Sequence, residues 1–203
     1  MRLLSLAAPP LCVDCRAPTR PAHALCPACR RRLEHLDPAP VRLDGLRVWA
    51  PVAYEGPARA LVRQLKFHGA VALADQMAAA IAANAPPGML EGALVPVPSP
   101  RRRRRWRGFC HAELLVGALA RRTGLPLLPI LDRSGEARQV GRARAERLRA
   151  PPRFQATRRG AAAVLLVDDV VTTGATLCAC ARALRAEGWR CGRAVAYART
   201  PVR

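Results

Sequence analysis

Short apolar runs alternate along most of the chain with stretches whose apolar residues recur at helical spacing. The apolar runs at 92–98, 125–131, 163–167 and 191–199 have the length of strands, and 46–56 fits two short strands. The helical stretches are 57–69, 71–85, 109–124 and 174–187. Strands alternating with helices predict an α/β fold whose parallel sheet has both faces covered by helices.

The run at 163–167 leads directly into two adjacent acids, Asp168 and Asp169. In open α/β sheets, ligands bind beyond the carboxyl ends of the strands. Ionised carboxylates accept hydrogen bonds, and the vicinal hydroxyls of a ribose donate them. The pattern therefore favours a ribose at these acids, although Asp169 and Thr173 could alternatively serve only to cap the following helix.

A small, hydroxyl-rich segment follows the acids. It consists of Thr172, Thr173, Gly174, Ala175 and Thr176. Glycine lets the backbone turn tightly and approach a ligand, and the N–H groups at the start of a helix bind anions. The segment is thus predicted to hold the 5′-phosphate of the same ribose.

Four cysteines near the start of the chain, Cys12, Cys15, Cys26 and Cys29, form two C-x-x-C pairs. Two such pairs can present four thiolates to one Zn²⁺. The polar segment between them is too short to bury a core, so metal would supply its folding energy. We predict a structural zinc site in a segment spanning 1–40, followed by an α/β domain at 41–203. Disulfides or a redox dithiol pair are the alternatives.

The chain has 34 basic residues against 14 acidic ones, for a net charge of +20, and Lys66 is its only lysine. Such an excess attracts phosphate-bearing partners. Arginines crowd the segment 101–107, which also contains Trp106, a residue on which a nucleic-acid base could stack. Charge alone leaves two partners open, a single-stranded nucleic acid and a small polyphosphate.

No apolar run approaches the roughly 20 residues that span a membrane. The beginning of the chain is only weakly similar to a signal peptide, because two prolines interrupt its short apolar stretch. We therefore expect a cytoplasmic protein without a membrane span.

Two longer resemblances sharpen these expectations. The segment 164–176, VLLVDDVVTTGAT, resembles the signature of type I phosphoribosyltransferases, which bind phosphoribosyl pyrophosphate. Together with the four cysteines, YEGPARALVRQLKFHG at 54–69, VPVPSPRRRRRWRGF at 95–109 and RQVGRARAERLR at 138–149, it resembles the ComF family, also called GntX-like, of competence-associated proteins. The implied fold is the type I phosphoribosyltransferase sheet with a small N-terminal zinc knuckle.

The resemblance also implies roles for individual residues. Asp168 and Asp169 would be the catalytic pair that contacts the ribose hydroxyls, and 172–176 would hold the phosphate. A turn of Val97, Pro98 and Ser99 would precede arginines that meet the pyrophosphate, among them Arg105 and Arg107.

The implied reaction transfers phosphoribose, with Mg²⁺ on the pyrophosphate, to a nitrogenous acceptor. The competence association adds single-stranded DNA and DNA-uptake proteins as expected partners. A non-catalytic DNA-handling protein and a sensor of phosphoribosyl pyrophosphate are the alternatives on the same fold.

Overall fold

The computed structural model describes residues 10–21, 23–68, 71–99, 111–134 and 153–201. The helices are α1 (Pro27–Arg31), α2 (Gly56–His68), α3 (Val71–Asn84), α4 (His111–Thr123) and α5 (Ala175–Ala186). The strands are β1 (Val41–Leu43), β2 (Leu46–Trp49), β3 (Val52–Ala53), β4 (Ala93–Pro96), β5 (Leu131–Ser134), β6 (Arg153–Ala156), β7 (Ala163–Val171) and β8 (Arg190–Arg199).

The main sheet has the strand order β1-β2-β8-β7-β4, and β3 also pairs with β8. Four of its pairings are parallel, and only β1 runs antiparallel to its neighbour β2. β5 and β6 form a separate antiparallel pair. The predicted α/β class is confirmed, and the sheet is parallel as predicted except at its β1 edge.

Each face of the sheet carries its own buried core. On one face, α2, α3 and α4 pack against side chains such as Leu165, Val167 and Tyr197. On the other face, α5 packs against Val164 and Leu166. This alternation along β7 is the two-residue period of a strand covered on both sides.

The cysteine segment packs on the α2–α4 face. Cys12, Leu25 and Cys29 belong to the same buried cluster as residues of α2 and α3. The backbone N–H of Ala24 donates to the side-chain oxygen of Gln76 on α3, at 3.2 Å. The segment is therefore attached to the α/β fold by shared apolar contacts as well as by the chain itself.

Most predicted elements appear within one or two residues of their expected bounds, with two differences. β7 continues past the acids to Val171, because residues 168–171 keep pairing with β8. The segment 125–131, predicted as a strand, makes one parallel bridge from Leu127 to Leu94, and β5 begins only at Leu131. Within the described ranges, none of the helices has the length and apolar character to cross a bilayer.

Candidate functional site

Parallel pairing brings the carboxyl ends of β4 and β7 to one edge of the sheet, which we call the carboxyl edge. The backbone N–H of Val97 donates to the carbonyl of Val167, at 3.0 Å. Pro98 and Ser99, both half-buried, follow at once. The structure thus places the predicted 97–99 turn beside the acids.

The two acids lie on opposite faces of β7. Asp169 is only 3% exposed, and its Oδ1 lies 3.0 Å from the Nζ of Lys66 on α2. It follows Leu165 and Val167 in the alternation, so it points into the α2–α4 face. A buried carboxylate needs such a partner, because an uncompensated charge in the interior is costly.

Asp168 points to the opposite face, toward the start of α5. Its Oδ1 accepts a hydrogen bond of 2.8 Å from the backbone N–H of Asp169. The side chain is half-buried and closely surrounded by protein atoms. This desolvation, together with repulsion from Asp169, raises the pKa of Asp168 to about 7, although the Asp169 amide and the Lys66 charge oppose the rise.

A small cavity of about 40 Å³ opens between Asp168 and the loop that leads into α5. It is lined by Asp168, Val170, Val171, Thr172, Thr173, Gly174, Ala175, Thr176 and Leu177. On this scale roughly 10–15 Å³ holds one water, so the cavity itself admits a few waters or one small group rather than a whole nucleotide. Thr172 and Thr173 are exposed at its rim and can donate hydroxyl hydrogens outward.

Gly174 fixes the shape of this loop. Its φ of +78° is left-handed, which suits glycine, and an added Cβ would collide with the side chain of Leu43. Gly174 has no side chain with which to cap α5, and the N–H of Ala175 donates only a long hydrogen bond of 3.4 Å to the Oγ1 of Thr173. Such a helix start attracts an anion.

The arrangement can therefore accept hydroxyl donors at Asp168 and hold an anion at 172–176. Of the predicted site residues, the structure gathers Asp168, the 97–99 turn and the 172–176 loop at the carboxyl edge. Asp169 belongs to the buried pair on the other side of β7. Arg105 and Arg107 lie outside the described residues.

The four cysteines come together as predicted. Their sulfur atoms all lie within 4.8 Å of one another, and the Sγ atoms of Cys15 and Cys26 are 3.7 Å apart. A tetrahedral zinc with Zn–S bonds of about 2.3 Å separates its sulfurs by about 3.8 Å, so the group fits that ion. Four thiolates fill its coordination shell, which suits a structural role.

The surroundings of the cluster differ from one thiol to another. Burial opposes ionisation of Cys12, but backbone N–H groups of Cys15, Cys26 and Asp14 outweigh it and lower the Cys12 pKa to about 6.

Two other cysteines, Cys180 and Cys191, are buried in the core between α5 and the sheet. Burial raises the pKa of both thiols, that of Cys191 to about 11. These two behave as small apolar residues.

Sequence reasoning assigned no role to Lys66 or Leu43. Lys66 was visible as the only lysine in an arginine-rich chain, a hint that a compact cation is needed there. Leu43 lies on β1, which β2 and β8 separate from β7 in the sheet. No local sequence pattern links it to Gly174. Contacts of that kind depend on the tertiary fold.

Two comparisons bear on the ancestry of the chain. No protein-family model matches it. Competence protein ComFC of Bacillus subtilis (strain 168) is 36% identical over 97 residues, a match covering 47% of this chain and 39% of that protein. The similarity supports the ComF-like assignment, over about half of the chain and well under two thirds of the relative.

Proposed function

We propose that this ComF-like chain binds phosphoribosyl pyrophosphate at the carboxyl edge of its sheet. One observation carries the proposal: Asp168 and the 172–176 loop line the same cavity at the start of α5. The 5′-phosphate would lie against the helix start and the threonine hydroxyls. The ribose hydroxyls would donate to Asp168, which accepts them most strongly when it is ionised.

The proposed reaction moves the phosphoribosyl group to a nitrogenous acceptor. The bond from C1 of the ribose to pyrophosphate breaks, and pyrophosphate leaves with the electron pair. The acceptor nitrogen then bonds to C1 and releases its proton to solvent water. The transition state resembles an oxocarbenium ion, which a nearby carboxylate stabilises electrostatically.

The leaving pyrophosphate would lie beside the 97–99 turn. Arg105 and Arg107 follow that turn in sequence, and the planar guanidinium pairs well with phosphate oxygens. Mg²⁺, when bound with the ligand, would neutralise part of the pyrophosphate charge. The role of the protein is then positioning and electrostatic stabilisation.

The Asp169–Lys66 pair has a supporting part in this proposal. It holds the charge of Asp169 inside the protein, one residue from Asp168. A charged ligand at the loop would meet Asp168 on a strand that β4 and β8 hold on either side and that this pair ties to α2. Asp169 would thus position the site, while Asp168 contacts the ribose.

The name of the Bacillus relative extends the proposal to natural competence, in which this chain would act together with DNA-uptake proteins. The net charge of +20 favours a second candidate, a protein that handles single-stranded DNA without turning over the small ligand. A sensor of phosphoribosyl pyrophosphate is the third form of the same proposal.

Isothermal titration with phosphoribosyl pyrophosphate and Mg²⁺ tests the binding step. Asp168→Asn should weaken binding roughly 10- to 150-fold, because a hydrogen bond to a charged group contributes about 1.5–3 kcal/mol. Asp75→Asn is the matched control, since Asp75 pairs with Arg122 on the surface between α3 and α4. Absence of binding to the wild-type protein would overturn the proposal.

A screen for pyrophosphate release over nitrogenous acceptors then separates the transferase from the two non-catalytic forms. Release that depends on one acceptor and is lost in Asp168→Asn supports the transferase. Tight ligand binding without release from any acceptor supports the sensor or the DNA-handling protein.

A further inference from the structure

Three arginines stand in register across three neighbouring strands of the sheet. Arg42 on β1 is paired with Arg47 on β2, and Arg47 is paired with Arg193 on β8. Residues paired in this way project from the same face of the sheet, with Cβ atoms about 5 Å apart. The chain therefore builds a row of three like charges at the amino-terminal end of β8.

Such a row is unfavourable on its own, since like charges directly opposite each other destabilise a sheet. One carboxylate relieves it: Glu91 accepts a hydrogen bond of 2.7 Å from Arg193. The nearby Asp44 is engaged at 2.6 Å by Arg182 of α5. Positive charge is thus left over at this edge among the described residues.

The row borders a cleft of about 550 Å³ at the amino edge of the sheet, opposite the carboxyl-edge loop. The cleft is lined by Arg47, Ala163, Arg185, Trp189, Arg190, Cys191, Gly192 and Arg193. It is more than ten times larger than the cavity at Asp168.

Two of the lining arginines are held in place by backbone carbonyls. Arg185 donates to the carbonyl of Cys191 at 2.8 Å and to that of Gly45 at 3.3 Å. Arg190 donates its Nε hydrogen to the carbonyl of Ala161 at 3.0 Å. A carbonyl orients a guanidinium without neutralising its charge, so these side chains are prepared for an anion.

We propose that Arg42, Arg47, Arg185, Arg190 and Arg193, the amino-edge arginines, bind the phosphate backbone of a single nucleic-acid strand. Planar guanidinium groups match phosphate oxygens. Strands lie about 4.8 Å apart, so the row from Arg42 to Arg193 spans roughly 10 Å. Arg42 lies outside the cleft, and a ligand that meets both Arg42 and the cleft must carry charge along that length. A strand satisfies this better than a compact polyphosphate.

The site is separate from the proposed phosphoribosyl pyrophosphate site and does not depend on it. Arg193, in the first half of β8, and Arg199, at the end of that strand, are six residues apart, which is roughly 20 Å. Both ligands can therefore be bound at once. A strand held instead by the 101–107 segment, which follows the 97–99 turn, would compete with phosphoribosyl pyrophosphate.

Fluorescence anisotropy of a labelled oligothymidylate, at several salt concentrations, tests the proposal. Each phosphate neutralised contributes about 0.7 to the slope of log K against log salt. The double variant R42S/R47S should lower that slope by about 1.4. The control R59S/R63S removes the same charge from two exposed positions on α2 and should leave the slope unchanged. Thermal melts check that both variants fold.

Two further arms separate the alternatives. Adding phosphoribosyl pyrophosphate, or introducing Asp168→Asn, should leave oligothymidylate binding unchanged, whether or not the small ligand binds. Inorganic triphosphate should bind more weakly than the oligonucleotide. Equal slopes for R42S/R47S and the control would overturn the site, and so would displacement of the strand by phosphoribosyl pyrophosphate. Triphosphate binding as tight as that of the oligonucleotide would overturn the assignment to a strand.

Discussion

Replacing Asp168 by asparagine should make the protein more stable at neutral and alkaline pH while it weakens ligand binding. Asp168 is a partly desolvated carboxyl beside a second carboxylate, and its pKa rises to about 7 from an ordinary value of 3.8. Asparagine has nearly the same shape, keeps an oxygen for the Asp169 amide, and carries no charge. The substitution removes the cost of ionising the group inside the fold.

The magnitude and sign follow from linkage between proton binding and folding. Three pKa units correspond to about 4 kcal/mol, and the half-buried position of Asp168 reduces this to an expected gain of about 1–3 kcal/mol. A carboxyl with a raised folded pKa costs nothing below about pH 4. Its cost grows as pH rises toward 7 and is complete above that value. The gain from Asp168→Asn should therefore be near zero at pH 4 and largest at pH 8.

Urea denaturation of the ligand-free protein from pH 5 to pH 8 measures the effect. The variant is compared with the wild type at each pH, because any effect of pH on the cysteine cluster alters the stability of both proteins equally. Asp169→Asn is the contrasting control. It removes the partner of Lys66 from a buried pair and should destabilise the protein. Neutralising Asp168 should thus stabilise the protein, whereas neutralising its neighbour Asp169 should destabilise it.

A stability for Asp168→Asn below that of the wild type at pH 8 would refute this reasoning. It would mean that the Asp168 carboxylate is favourably solvated or paired in the folded protein. A gain equal at pH 5 and pH 8 would also count against it, because the gain would not follow the titration of a carboxyl group.

Three other perturbations test the remaining features. Cys12→Ser should abolish stoichiometric zinc in elemental analysis and, because the knuckle shares a buried core with α3, lower the melting temperature of the whole chain; full zinc content would contradict the four-thiolate site. Gly174→Ala should cost more in urea denaturation than the about 1–2 kcal/mol expected for Gly45→Ala, because both positions have a positive φ but only at Gly174 must the end of the Leu43 side chain also move to admit a Cβ; equal losses would show that the close packing of the loop is unimportant. Lys66→Met should destabilise by about 3 kcal/mol because it leaves the Asp169 carboxylate buried without its cation; an unchanged melting curve would contradict the pairing.

Much of the fold could be predicted because its signals are local. Helices α2, α3 and α4 follow from spacing of apolar residues, and the run before Asp168 follows from its unbroken apolar character. The end of β7 could not be predicted in this way. Its last four residues are held as a strand by pairing with β8, a partner about 30 residues away in sequence.

The candidate site also combines features that the local sequence reveals with features that only the tertiary fold determines. Asp168, the 172–176 loop and the four cysteines are visible as compact motifs, since each is continuous or closely spaced in sequence. The alternation of β7 already turns the two acids to opposite faces, but the ion pair that neutralises Asp169 depends on where α2 brings Lys66. No pattern around residue 168 contains that information, because the partner lies about a hundred residues earlier.

The length of β8 has a consequence for what the chain could do to a polymer. If a nucleic-acid strand lies along the amino edge, its nearest nucleotides are roughly 20 Å from the loop at Thr172 and Thr173. A short oligonucleotide would then be held without its bases ever reaching the reacting carbon of the small ligand. Only a strand long enough to turn around the side of the sheet would bring a base to that point. The minimum length of a nucleic-acid strand for binding would therefore differ from its minimum length for reaction. The shortest strand that binds would not be the shortest one that reacts.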